Sequence, residues 1–287
     1  MKPILILGEV LFDCFEDGKR VLGGAPFNVA WHLQGMGLQP SFVSTLGQDE
    51  AGREVRQSMQ RWGMNQEFLS VHPTLPTGFV QVGGDPLHPQ FDIKAPQAWD
   101  VLTLPPSPAA DTILYHGTLA LRQHHNRSHL RQWLTHFHGS LFLDLNLRTP
   151  WWQHLDLHAW IANARFLKCN QEELDLLVPN LMSAKEKVTC LFHQSPLEAV
   201  ILTRGQEGAL LYRPGTPPLQ VRPKPGAACV DTVGAGDAFS AVCLKGILLG
   251  RSWEETMVEA QLFASAIVAH QGATSDQSAL YRPHRLR

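Results

Sequence analysis

Seven residues near the C-terminal end, Asp231-Thr232-Val233-Gly234-Ala235-Gly236-Asp237, narrow the fold of this chain more than any other stretch. Gly234, Ala235 and Gly236 carry no bulky side chain, so the backbone there can turn sharply and present consecutive N–H groups to an anion. From Asp237 onward Phe239, Val242, Cys243 and Leu249 recur at roughly helical spacing. That pattern predicts a helix opening at the turn, with its dipole favouring negative charge at that end. An ionised Asp237 beside a bound phosphoryl group can take the proton of an attacking hydroxyl, so the stretch offers a base and an anion hole together. Plain structure accounts for the same letters: aspartate is a favoured helix N-cap, and a glycine-rich turn before a helix is ordinary.

Other phosphate-binding patterns fit worse. A dinucleotide loop would need glycine or alanine where Phe239 stands, and would follow the first strand, where Gly8-Glu9-Val10 supplies no such loop; an NAD-dependent oxidoreductase is disfavoured accordingly. No Gly-x-x-x-x-Gly-Lys-Ser/Thr run occurs. A second glycine-rich pattern lies at the other end: Gly8-Glu9 leading to Asp13, then Gly23-Gly24-Ala25-Pro26-Phe27-Asn28-Val29-Ala30. With the two runs in this order, the chain resembles the ribokinase-like (PfkB) carbohydrate kinases, most closely their fructokinase branch. The similarity spans nearly the whole chain and is least diagnostic from about Val71 to Ile113.

The resemblance implies one α/β domain over 1–287, a doubly wound, mostly parallel sheet with a small β-sheet lid inserted at about 10–22 and 67–96. It also implies ATP-dependent phosphorylation of a sugar's primary hydroxyl with Mg²⁺. Fructose is the first candidate; related members accept 2-keto-3-deoxygluconate, ribose or nucleosides, and the stretch from Leu87 to Asp100 departs from the fructokinase pattern. A catalytically silent sugar-binding relative would keep the fold and lose the base, and the presence of Asp237 speaks against it.

Composition agrees with a small-molecule enzyme. With 44% hydrophobic residues in 287, the chain can bury a large core, and a net charge of -2 leaves no electrostatic footprint for nucleic acid or an anionic membrane. No apolar run approaches the ~20 residues of a membrane span. Ile4-Leu5-Ile6-Leu7 runs into Gly8-Glu9 without a small-residue cleavage site, so it reads as a buried first strand and not a signal peptide. Cys14, Cys169, Cys190, Cys229 and Cys243 are scattered and never form Cys-x-x-Cys, which fits buried thiols in a reducing cytoplasm.

Candidate substrate ligands cluster early. Asp13 lies beyond the carboxyl end of the first strand, where open α/β sheets bind ligands; it can grip two neighbouring hydroxyls or stabilise a turn. Gly23 and Gly24 let a sugar ring approach the backbone, a helix opens near Pro26, and Asn28 can both donate to and accept from a hydroxyl. A tight structural turn explains the same glycines. Ser41 to Leu46 reads as the second strand, with a helix from about Glu50. The alternating segments Gly78–Val82 and Gln90–Ile93, around Gly83-Gly84-Asp85-Pro86, read as hairpin strands. By resemblance they belong to the lid, whose closing excludes water and whose bare face offers a homodimer contact.

From Thr112 the α/β rhythm returns, and the His116–Arg122 loop after the Ile113–Tyr115 strand could border the sugar. Leu141 to Arg148 reads as a strand with polar residues at its end. Asp144-x-Asn146-x-Arg148 resembles the family's central motif, in which the arginine approaches substrate; a structural salt bridge is the alternative for Arg148. Asn170-Gln171-Glu172-Glu173 matches the family's Asn-x-x-Glu, with Asn170 beside the nucleotide and Glu173 holding Mg²⁺ through water, although the pair is also a capping-box helix start. Thr203, Gly205 and Gly208 after the Ala199–Thr203 strand resemble a nucleotide-lining turn, and equally a hairpin into Ala209–Tyr212. An apolar-striped helix is predicted from Trp253 to His270. By resemblance the loops at Asp231 and near Gly272 carry a monovalent-cation site, with K⁺ the candidate ion. His124, His125, His129, His136 and His138 fall on a polar helical stretch without a carboxylate cluster, which speaks against a metal there.

Overall fold

Short apolar runs alternate with amphipathic ones along the chain, and the backbone of the computed structural model follows that rhythm over its described residues, 2–85, 88–106, 109–224 and 230–286. The strands are β1 (Ile4–Leu7), β2 (Leu11–Phe15), β3 (Arg20–Gly23), β4 (Ser41–Gly47), β5 (Leu69–His72), β6 (Gly78–Asp85), β7 (His88–Ile93), β8 (Ile113–His116), β9 (Ser140–Asp144), β10 (Phe166–Asn170), β11 (Ala199–Thr203), β12 (Ala209–Tyr212) and β13 (Leu219–Val221). The helices are α1 (Ala25–Gly35), α2 (Glu50–Arg61), α3 (His124–Leu134), α4 (Leu157–Ile161), α5 (Gln171–Leu177), α6 (Ala184–Gln194), α7 (Ala235–Leu249), α8 (Trp253–Val268) and α9 (Ser278–Tyr281).

Nine strands form the large sheet in the order β13-β12-β11-β10-β9-β8-β1-β4-β5. Every pairing from β11 to β5 is parallel, and the β11–β12 and β12–β13 pairings are antiparallel, so β12 alone runs against the rest. Strand residues alternate between faces, so the sheet sorts its own core. Ile4, Ile6, Tyr115 and Phe142 pack with Phe27 of α1, Val55 of α2, Phe239 of α7 and Phe263 of α8. Leu5, Leu7, Leu114, Leu141 and Leu143 pack with Leu130 of α3, Trp160 of α4, Leu174 of α5 and Leu191 of α6. Both faces are therefore covered, as a parallel sheet requires. Helices α7 and α8 cross closely at Gly246, where an added Cβ would meet Thr256 Oγ1 at 2.3 Å.

A second sheet has the order β3-β2-β6-β7, with β2 and β6 parallel and the other pairings antiparallel. The chain leaves the large sheet after β1, makes β2 and β3, and returns through α1. Two expectations need correction. Leu69–His72 lies in the stretch expected to form the lid, yet it pairs with β4 and edges the large sheet. The strand expected to reach Arg148 stops at Asp144, because Asn146 takes a left-handed conformation with φ 41°. Pro86, Leu87 and Cys229, all part of the sequence reading, lie outside the described residues. Among the described residues no helix is long and apolar enough to cross a membrane.

Candidate active site

Two helix starts, far apart in sequence, meet at the carboxyl edge of the large sheet. Gly24 is the N-cap of α1 with φ 107°, and an added Cβ would lie 2.7 Å from the Glu9 carbonyl oxygen, so glycine is needed there for close backbone packing. Gly23 has a different role: a Cβ there would stand 3.6 Å from Asp13 Oδ2 and 3.7 Å from Asn28 Oδ1, so these two acceptors flank one bare spot of backbone. Asp13 reaches it from β2, paired across to Val21 of β3. Asn28 Nδ2 donates to Asp237 Oδ2 at 2.8 Å, while the buried Asn28 Oδ1 has no hydrogen-bond partner among the described residues. An unsatisfied buried acceptor is costly unless a ligand or water completes it.

Asp237 sits in the first turn of α7 behind the N-cap Gly234, which has φ 79°. A Cβ on Gly234 would meet Ala273 Cβ at 2.4 Å, so only glycine permits the turn. The first helical bond runs from Ala238 N–H to the Gly234 carbonyl at 2.9 Å. The N–H groups of Ala235, Gly236 and Asp237 therefore precede the ladder, although that of Ala235 also reaches the Thr232 carbonyl at 3.4 Å. Asp231 shapes the loop from the other side: its carboxylate accepts from Val233 N–H at 2.9 Å and Gly272 N–H at 3.0 Å, joining the two loops expected to flank a monovalent cation.

Burial pushes the Asp237 carboxyl up to about 6, against the Asn28 hydrogen bond and the cations of Lys168 and Arg148. Asp13 is likewise raised to about 6 by burial, opposed by Arg148. Glu9, just past β1, is raised to about 7 by burial, and its Oε2 has no hydrogen-bond partner among the described residues. Arg148 is exposed on the loop that Asn146 turns, forms no salt bridge among the described residues, and lends positive potential to all three acids.

The remaining predicted residues lie along the neighbouring strand ends, without hydrogen bonds to the Asp13, Asn28 and Asp237 group among the described residues. Asn170 and Glu173 form a reciprocal capping box at the start of α5: Glu173 N–H donates to Asn170 Oδ1 and Asn170 N–H to Glu173 Oε2, both at 2.8 Å. Glu173 Oε1 accepts from Leu147 N–H at 2.7 Å, which ties the Arg148 loop to β10. Each carboxylate oxygen keeps a further lone pair, so the residue fits a metal held through water. Thr203 Oγ1 donates to the Cys169 carbonyl at 3.4 Å. Gly205 opens to free space with φ 53°, whereas a Cβ on Gly208 would meet the Val221 carbonyl oxygen at 2.0 Å, so Gly208 serves the hairpin packing. The histidines on α3 and after it belong to no metal-holding group of three among the described residues.

Several buried polar residues escaped the sequence reading: Glu9, Lys168, Ser240 and Arg122, together with the acceptor role of Asp144. For Lys168 the signal was there, a charged residue between Leu167 and Cys169 inside an apolar strand, since an unpaired buried charge is not tolerated; the others carry no such local mark.

A mostly parallel sheet whose carboxyl edge holds a buried acid beside the bare amides of a helix start has the architecture of a small-molecule kinase. The description "pfkB family carbohydrate kinase" matches residues 14–280, and the chain belongs to that family. It is accordingly an ATP-dependent sugar kinase. It is 29% identical over 250 residues to "Probable fructokinase-4" of Arabidopsis thaliana, covering 80% of this chain and 74% of that one. It is 27% identical over 263 residues to the fructokinase of Klebsiella pneumoniae, covering 85% and 84%. The crystal structure of fructokinase from Vibrio cholerae O395 with fructose, ADP and calcium ion superposes with a TM-score of 0.85 at 26% identity, covering 98% of both chains.

Proposed function

We propose that this kinase transfers the γ-phosphoryl group of ATP to the primary hydroxyl of a small neutral sugar, fructose first. One observation carries the reading: the Asn28 amide donates to the Asp237 carboxylate at 2.8 Å, so the sugar-binding helix and the anion-binding helix touch through the group that would act as base. Asp13, Asn28 and the bare backbone at Gly23 would hold the sugar's hydroxyls, with Gly24 packing the turn against Glu9 and Arg148 closing over them. Asp237 takes the proton of the attacking hydroxyl while the amides of Gly234, Ala235 and Gly236 balance charge on the transferred group. Asn170, Thr203 and Gly205 would line the nucleotide, with Gly208 shaping the same turn. Glu173 would hold Mg²⁺ through water, and Mg²⁺ when bound neutralises the nucleotide's phosphates. Asp231 would help shape a K⁺ site.

Glu9, Asp13 and Asp237 outnumber the one exposed cation that acts on all three among the described residues, Arg148, which favours a neutral sugar over an acidic one such as 2-keto-3-deoxygluconate. The small sheet acts as the lid and offers its outer face to a second copy, and the working place is the cytoplasm. ATP consumption measured with fructose, ribose, 2-keto-3-deoxygluconate and nucleosides tests the substrate. Fructose is expected to give the highest kcat/KM; a higher value for a nucleoside or the acid sugar would overturn the choice.

A further inference from the structure

A buried ion pair lies beneath the first turn of α7. The Lys168 ammonium donates to both oxygens of Asp144 at 2.9 Å, and the Tyr115 hydroxyl donates to Asp144 Oδ2 at 3.1 Å. Ser240 Oγ is 2.7 Å from that same Oδ2 and 3.0 Å from the Gly236 carbonyl oxygen, its single proton shared between two acceptors. A continuous polar path thus runs from the middle of β10 and the end of β9 to the residue that precedes Asp237. The pair also abuts the turn directly, because a Cβ on Gly236 would stand 3.4 Å from Lys168 Nζ.

Stability does not explain the pair. Its side chains are 8% and 2% exposed, and in such places an apolar pair of similar volume is often as stable or more so. Its location does explain it. A helix start with glycine as N-cap and at the second helical position is loose by nature and needs bracing from outside to hold one geometry. We infer that Asp144 and Lys168 are positioning residues for phosphoryl transfer: through Ser240 they fix the Gly236 carbonyl, and with it the amides and carboxylate of the first turn. The inference rests on the proposed role of Asp237 as base.

Two variants separate the brace from the charges. Ser240→Ala removes the link and leaves the ion pair; Lys168→Met combined with Asp144→Asn removes the charges and keeps an acceptor for Tyr115 and Ser240. Hydrogen exchange of the Ala238 and Phe239 amides, thermal unfolding, and kcat and KM for sugar and ATP are measured on each. Both variants are expected to exchange the first-turn amides roughly tenfold faster while the end of α7 keeps its protection. Their kcat is expected to fall on the order of 10- to 100-fold, with the KM for sugar within about threefold. First-turn exchange and kcat at the wild-type level in Ser240→Ala would overturn the inference, as would a kcat loss accompanied by equal loosening along the whole helix. Faster first-turn exchange in a protein that phosphorylates no sugar would refute the kinase reading of Asp237 and the phosphoryl-transfer role, while the brace itself stood.

Discussion

Asp237 carries conflicting demands. Burial raises its carboxyl to about 6, and the Asn28 hydrogen bond and nearby cations hold it down. A base must be ionised to accept a proton, so kcat/KM for the sugar is expected to fall as pH drops below about 6. Removing the Asn28 donor takes away a bond to the charged form, so in Asn28→Ala the acid limb should move to higher pH; a limb that moves down or stays would contradict the assignment. Glu9 is raised from 4.5 to about 7 by burial, so its ionisation works against the fold. Wild type should therefore lose stability relative to Glu9→Gln as pH rises from about 4.5 through about 7, by on the order of 2–4 kcal/mol, with no further change above. Denaturant midpoints across that range measure it, and a constant difference would refute it. At this scale Asn28 and Asp237 stand out in the sequence because they sit in glycine-rich runs, and Asp13 because it lies beyond the first strand and matches the family pattern. The sequence reading missed Lys168 because a lone lysine in an apolar strand shows nothing of the Asp144 it pairs with.

Among the elements, the glycine turn ahead of α7 is the least replaceable. Gly234 combines φ 79° with an added Cβ 2.4 Å from Ala273 Cβ, so both backbone strain and a clash oppose any side chain. Gly205, with φ 53° and nothing within 4 Å, carries only the first penalty. Gly234→Ala is expected to cost about 2–4 kcal/mol in unfolding free energy and most of the activity, against roughly 1–2 kcal/mol for Gly205→Ala. Equal losses would show that contact with Ala273 does not matter. The helices from Pro26, from Glu50 and from Trp253 were legible from apolar stripes and turn residues. The end of β9 was not, because Leu145 and Leu147 continue the apolar pattern while the backbone turns at Asn146. Nor was β5: whether a short strand joins the large sheet or the small one is decided by its partner, here β4, which composition does not reveal.

The whole molecule is a large sheet with a small one hung from β1, the third strand from one edge, and the candidate site lies where they meet. Arg122 braces the small sheet's return. It donates to both Asp100 oxygens at 2.8 Å and to the Ile93 and Lys94 carbonyls, with the rings of Trp99 and Trp151 on it at 4.0 and 4.6 Å. Trp151 follows the Arg148 loop, so one guanidinium ties the end of β7 to a predicted substrate loop, a link no local pattern could announce. The glycine runs near both chain ends pointed to one place because the helices they open meet in space, at the hydrogen bond from Asn28 to Asp237. Turnover of Asp237→Asn beside wild type, with sugar affinity by calorimetry, tests that convergence most directly. A fall of about 10²–10⁴-fold in kcat with the sugar Kd nearly unchanged is expected; turnover equal to wild type would contradict the role of Asp237 as base.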